Sequence, residues 1–345
     1  MELRQLLQQA AALGASDIHI EPLDEEVRIR WRIDGVLEIA DRLRKDKLES
    51  LISQLKLLAD LDIANRRLPQ DGRALWQKAG KPLDLRISTL PTVRGEKAVI
   101  RLLDGTRLPR RLEALGMEKE ALALIRQLLL RKQGLLLICG PTGSGKTTTL
   151  YAALSELETE AVSIATLEDP VEILLTGISQ SQVNVKGGFL FQNGLRALLR
   201  QDPDILVVGE IRDKETARIA VQGALTGHVI LSTLHAPSAV EATVRLMDMG
   251  IEPYLVADAL TGVISQRLAR RKKADGTYQG RFCLCEVVPI GRCMKEAIRE
   301  KAAVVTLEGA AKKDGAILMP EVISQVLAKN ITDKAEIQRV YYGGE

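Results

Sequence analysis

Gly134-Leu135-Leu136-Leu137-Ile138-Cys139-Gly140-Pro141-Thr142-Gly143-Ser144-Gly145-Lys146-Thr147 decides the fold of this chain. Six residues without a charge predict a buried strand. The next eight match G-x-x-x-x-G-K-[ST] in full, and Thr148-Thr149-Leu150-Tyr151-Ala152-Ala153-Leu154 opens a helix. Strand, glycine-rich turn and helix together form the context that makes this motif a phosphate-binding loop. Glycines let successive backbone N–H groups turn inward around an anion, and the helix N-terminus adds a positive dipole. Lys146 supplies a full charge to β- and γ-phosphates, and the Thr147 hydroxyl suits Mg²⁺. The expected ATP-binding set is Gly140, Pro141, Thr142, Gly143, Ser144, Gly145, Lys146, Thr147 and Thr148.

Outward from the loop, similar apolar runs recur at 162–167, 205–208 and 229–231, with helical stretches between them. Runs that do not alternate with polar residues read as strands covered on both faces, hence a parallel sheet between helices. Such sheets bind ligands beyond the carboxyl ends of their strands. Glu210 stands just past the run Ile205-Leu206-Val207-Val208-Gly209, where it suits a general base or a residue orienting water. Glu168-Asp169-Pro170-Val171-Glu172 follows another run and offers carboxylates for hydrated Mg²⁺, or else a solvated turn. Thr233 and His235 end a third run, where they either sense a γ-phosphate or act structurally; His228 beside Gly227 reads in the same two ways. The tail from Ala239 is predicted to be largely helical, with one strand-like piece at 282–288.

The first hundred residues have another texture. Helical spacing covers 1–13 and stops at Gly14, and 48–61 reads as an amphipathic helix. Val27-Arg28-Ile29-Arg30-Trp31-Arg32-Ile33 alternates strictly, so four apolar side chains face one way and three arginines the other. Asp34-Gly35 is a hairpin turn, leading into 36–39; 83–88 and 97–103 are further strands separated by a turn near Pro91–Gly95. His19 falls in another alternating stretch. The predicted organisation is an α+β domain over 1–104, a linker over 105–110 and an α/β domain over 111–345. Arg32, Arg86 and Arg101 each alternate with apolar neighbours. They form either a plain polar face or a cluster that meets triphosphate, because guanidinium binds phosphate oxygens bidentately.

Composition sets outer bounds. The chain has 345 residues, 46% apolar and 27% charged, the balance of a globular protein of about two domains. With 48 basic and 45 acidic residues its net charge is +3, too small for a protein built to coat nucleic acid or anionic lipid. Aromatics are 3%, which leaves little for base stacking. No run approaches the ~20 apolar residues that span a bilayer, and no secretory signal is evident, so a cytoplasmic location is expected. Cys283, Cys285 and Cys293 fit no common zinc spacing; they read as reduced, packed thiols, with a metal site or a disulfide as the alternatives, and Cys139 reads as a core-strand residue.

Taken together, these motifs resemble the secretion and pilus traffic ATPases of type II secretion, type IV pilus and competence systems. Gly14-Ala15-Ser16-Asp17-Ile18-His19-Ile20-Glu21-Pro22, Arg30–Gly35 and Leu68-Pro69-Gln70-Asp71-Gly72-Arg73 look like the family's N-terminal signatures. Gly140–Thr147 is similar to its Walker A motif, Glu168–Glu172 to its Asp box, Gly209–Asp213 to its Walker B motif, and Thr226–His235 to its His box. The resemblance implies a RecA-like P-loop ATPase domain with a parallel sheet, preceded by a smaller PAS-like α+β domain, with nucleotide between them and six copies in a ring. It implies catalytic roles for Glu210, Arg32, Arg86, Arg101, Glu168 and His235. Thr147, Glu168, Asp169 and Glu210 would hold Mg²⁺, partly through water, and Thr233, His228 and His235 would sense phosphate.

The implied partners are further copies of the chain and an inner-membrane platform protein, with peripheral contact to a membrane complex and no direct nucleic acid. The chain starts almost at the PAS-like part and lacks a tetracysteine loop between Arg270 and Tyr278, so no zinc is expected. Ala236-Pro237-Ser238 follows His235 where the family usually has Thr. These departures look most like the competence-pilus assembly subgroup. The alternatives are a pilus retraction ATPase, which would also lack the zinc loop, and a nucleic-acid motor of the same RecA-like class.

Overall fold

A computed structural model describes residues 2–78, 81–105, 109 and 111–343. The chain divides into two compact units, Met1–Leu108 and Pro109–Glu345. Residues 106–108 and 110 of the expected linker lie outside the described residues.

The first unit runs α1 (Leu3–Leu13), β1 (Asp17–Pro22), β2 (Glu26–Ile33), β3 (Val36–Arg44), α2 (Leu48–Leu58), β4 (Gln70–Lys78), β5 (Lys81–Thr92) and β6 (Gly95–Leu103). The strands form one antiparallel sheet in the order β3-β2-β1-β6-β5-β4. Alternation sorts its faces. Ile18, Ile20, Val27, Ile29, Trp31, Leu85, Ile87 and Ile100 share a buried cluster with Leu6 and Leu7 of α1 and Leu51 and Leu55 of α2. Gly14, left-handed at φ 75°, ends α1 as its periodicity predicts. α2 is shorter than the predicted 48–61: it stops at Leu58, and the chain turns through Asp60 at φ 55°. β4 was not predicted; a sheet-edge strand rich in polar residues carries little alternation to find.

Among its described residues the second unit holds seven strands in the order β13-β12-β7-β11-β10-β8-β9. They are β7 (Gly134–Cys139), β8 (Ile164–Glu168), β9 (Ser179–Gln182), β10 (Ile205–Val208), β11 (Val229–Leu234), β12 (Leu260–Lys272) and β13 (Tyr278–Pro289). All pair in parallel except β13, which returns antiparallel to β12. Every residue of β7 is buried, because odd and even side chains enter different cores. Leu135 and Leu137 join α6 (Lys214–Leu225) and α7 (Ala239–Asp248) on one face. Leu136 and Ile138 join α3 (Lys119–Leu129) and α4 (Lys146–Leu157) on the other.

The tail is largely helical as expected, but the expectation of a single strand-like piece in it needs correction. β12 is a 13-residue strand beside β7, and β13 has 12 residues. The reason is burial: the first half of β12 is almost wholly buried, so its side chains do not alternate. Among the tail helices, α11 (Met319–Ala328) and α12 (Lys334–Ile337) pack back on this hairpin. Glu336 of α12, its side chain wholly buried, accepts hydrogen bonds from the backbone N–H (2.8 Å) and guanidinium (2.7 Å) of Arg270 on β12.

Candidate nucleotide site

The parallel strands all run the same way, so Cys139, Glu168, Val208 and Leu234 end at one edge of the sheet. From that edge rise the phosphate loop, Glu210 and His235. Gly140 turns the chain out of β7 at φ 144°, and a Cβ there would stand 2.5 Å from the Gln266 carbonyl oxygen. Only glycine fits. Gly143 and Gly145 are also left-handed, and Gly145 caps α4, which begins at Lys146. The Lys146 ammonium donates to the loop's own carbonyls, Gly140 O at 2.9 Å and Pro141 O at 3.1 Å. Burial holds its pKa below the usual lysine range, while the nearby Glu210 carboxylate pulls it back upward. Pro141, Thr142 and Gly143 are exposed; Thr147 and Thr148 are partly exposed at the mouth of α4.

Gly209 carries the chain from β10 to Glu210. A Cβ on it would sit 3.0 Å from the Leu167 carbonyl, so the acid is delivered through a narrow gap between β10 and β8. One Glu210 oxygen lies 3.1 Å from His235 Nε2, and the other accepts from the Arg212 guanidinium at 2.9 Å. Thr233 is buried, and its hydroxyl donates to Gly209 O at 2.7 Å, pinning the same turn. The structure thus brings together Lys146, Glu210, Thr233 and His235.

Glu168 ends β8 at this edge, but its carboxylate is enclosed. It accepts from Thr166 Oγ1 (2.6 Å), from Gln180 Nε2 (3.2 Å) and from the Tyr151 hydroxyl on α4. Burial and the adjacent Glu168 push the Tyr151 phenol well above its ordinary pKa, so it stays a donor. Asp169, one residue on, is exposed. His228 is placed apart. It precedes β11, with Nδ1 3.2 Å from Gly223 O, whereas the phosphate loop follows the ends of the strands. At ~3.3 Å per residue, six residues of strand put about 20 Å between them. Within one chain the expectation that His228 senses phosphate is therefore corrected: being close in sequence to His235 does not place it at the same end of a strand.

Arg32 and Arg101 both pair across the sheet with Asp17, and Arg86 pairs with Arg101, so the three share one register row and one face. Asp17 accepts from Arg101 Nε at 3.0 Å and lies 3.7 Å from Arg32 Nε. Arg86 has no carboxylate partner among the described residues, and its Nε is buried without a hydrogen bond. Sequence reasoning passed over Tyr151, Gln180 and Gln266 at the site, since each acts across a distance in sequence that no local pattern records.

The cradle fits a triphosphate: left-handed glycines, a lysine whose present partners are only loop carbonyls, and a helix N-terminus. Hard oxygen donors, the Thr147 hydroxyl and the carboxylates of Glu210 and Asp169, suit Mg²⁺. Among the described residues, no three His, Cys, Asp or Glu side chains cluster as a metal site, so phosphate and water would supply the remaining ligands. Fold and loop together define a P-loop nucleotide-binding protein.

Residues 1–339 match the family described as Type II/IV secretion system protein, and the chain belongs to that family. It is 46% identical over 357 residues to type II secretion system protein HxcR of Pseudomonas aeruginosa, covering 98% of this chain and 76% of that protein. It is 49% identical over 268 residues to type II secretion system ATPase E of Vibrio cholerae, covering 78% of this chain. The chain spans about half the length of that relative, 53%. The crystal structure of the pilus retraction motor PilT with bound ADP aligns with TM-score 0.64 and 27% identity, over 98% of this chain and 99% of that one. The Legionella pneumophila ATPase DotB, with TM-score 0.78 and 23% identity over 99% of this chain and 95% of that one, shares the fold. The chain is accordingly an ATPase of this secretion and pilus family. Among the described residues, no helix is long and apolar enough to cross a membrane.

Proposed function

We propose that this chain hydrolyses ATP to power a type II secretion machine. The observation that carries the reading is the pairing of a phosphate loop with Glu210 at one sheet edge, the acid held by His235 at 3.1 Å and in the field of Lys146. In the proposed reaction Lys146 leaves its loop carbonyls for the β- and γ-phosphates. The Glu210 carboxylate orients water and accepts its proton as the water oxygen bonds to the γ-phosphorus and the bond to ADP breaks. Mg²⁺, when bound, would neutralise developing phosphate charge; Thr147, with Glu210 and Asp169 partly through water, would hold it, while the enclosed Glu168 carboxylate stays with Thr166, Gln180 and Tyr151. Arg32, Arg86 and Arg101 are proposed as phosphate-directed, Arg86 foremost because, among the described residues, it alone of the three lacks a carboxylate.

The relatives named type II secretion proteins support that machine over a competence pilus. A cytoplasmic homo-hexamer acting on an inner-membrane platform protein completes the proposal. The likeness to a retraction motor keeps pilus retraction as the second reading. Glu210→Gln tests the core of it: phosphate release should stop while ATP still binds, and turnover at the wild-type rate would remove Glu210 from the reaction.

A further inference from the structure

We propose that Gln266 is the positioning residue of the phosphate loop, a fixed prop against which the loop exchanges its partners when nucleotide enters. The inference rests on reading Gly140–Thr147 as the nucleotide cradle. β12 pairs Ser265 with Cys139, the last residue of β7, so Gln266 stands beside the point where the loop departs. The side chain is 1% exposed, and its Nε2 donates to the Ser144 carbonyl at 2.6 Å across 122 residues of sequence. Its own carbonyl oxygen lies 2.5 Å from the place of a Gly140 Cβ, and Nε2 lies 3.3 Å from that of Gly145. One residue therefore meets the loop at 140, 144 and 145.

Two buried atoms show what the amide is for. Gln266 Oε1 and Ser144 Oγ both lack a hydrogen-bond partner. A buried carboxamide with an unpaired oxygen is costly where leucine or methionine would fill the same space. What the amide adds is the N–H to the loop. Lys146 meanwhile donates to Gly140 O and Pro141 O, contacts it must release to reach phosphate. A loop that gives up those contacts keeps its shape only if another contact persists, and the Gln266 N–H is that contact.

The next residue extends the prop. Arg267 donates to Pro237 O at 2.6 Å and to Gln266 O at 3.0 Å. Pro237 lies two residues beyond His235, which holds Glu210. Two consecutive residues of β12 thus support both the loop and the segment that carries the acid's histidine.

The test uses the full chain and a fluorescent ATP analogue with Mg²⁺. Gln266→Met keeps the length and removes the donor; Gln266→Glu keeps the shape and replaces N–H by oxygen. Both should weaken analogue binding about tenfold and raise KM for ATP by a similar factor, with kcat within about twofold. In the nucleotide-free protein, amide exchange in 140–146 should quicken while that of β12 does not. A folded variant of either kind with wild-type affinity and wild-type exchange in 140–146 would overturn the inference. Failure of the unmodified chain to bind the analogue would instead overturn the cradle reading on which it stands.

Discussion

The sheet face of the first unit and the sheet edge of the second both gather cations and carboxylates, and they hold them in opposite ways. On the face, each buried acid is saturated. Glu21 pairs with Arg28 at 2.9 Å, Arg30 at 2.6 Å and Lys97 at 3.5 Å, and Asp17 with Arg101 at 3.0 Å. Cross-strand register makes those pairs permanent parts of the fold. At the edge, Lys146 rests on carbonyls of its own loop, and the Glu210 partners are two exposed side chains, Arg212 and His235. Neutral or solvated partners are surrendered at low cost, as a site that takes up and releases a highly charged ligand requires. Arg86 is the exception on the face: it sits in the row of paired arginines without an acid of its own among the described residues.

The largest effect should come from the edge. Glu210→Gln is expected to lower kcat by on the order of 10²–10⁴ with nucleotide affinity nearly kept, read by phosphate release and equilibrium binding. A comparable loss of folding stability would mean the acid is structural after all and would erase the contrast.

The face should answer the other way. Glu21→Ala should cost about 3 kcal/mol, seen as a lower urea midpoint, because three cations lose their partner. Burial pushes the Glu21 pKa up, but the Arg30 and Arg28 hydrogen bonds outweigh it, and the net shift is downward from 4.5. A depressed carboxylate contributes stability above its unfolded pKa. The gap between variant and wild type should therefore be full at pH 7 and shrink as the pH falls below 4.5.

Arginines on one row then separate the two behaviours. Arg86→Ala should lower kcat about tenfold with little change in stability, whereas Arg101→Ala should lower kcat less and also lower stability by about 1 kcal/mol, because Asp17 loses its 3.0 Å partner and keeps Arg32 at 3.7 Å. Equal stability losses with no rate change would return Arg86 to the plain polar face.

A small control lies outside both regions. Asp333 caps α12 and accepts from the Tyr278 hydroxyl at 2.8 Å, and it lies 3.0 Å from Lys272. The backbone N–H of Glu336 is the main cause that holds its pKa at about 2. Asp333→Ala should cost about 1 kcal/mol at pH 7, and the difference should fade as acid approaches that value.

The parallel sheet was legible because 134–139 and 205–208 are uncharged runs that end where β7 and β10 end. The same rule failed at β12, where buried residues without alternation sit among helices, and at β4, which borders the sheet on one side only. Motif order pointed to the residues that gather at the edge, since each motif follows its own strand. It could not tell the two ends of β11 apart, hence His228. Nor could it find Gln266 or Tyr151, whose contacts depend on which strand lies beside which and on which helix crosses which strand.

Glu336 gives the carboxyl-terminal helix a significance beyond decoration. Arg270, which it neutralises, stands four residues after Gln266 on the same strand. Removing residues 334–343 would leave that guanidinium, which lies 4.1 Å from the centre of the Tyr278 ring, without its carboxylate and would loosen β12 at its outer end.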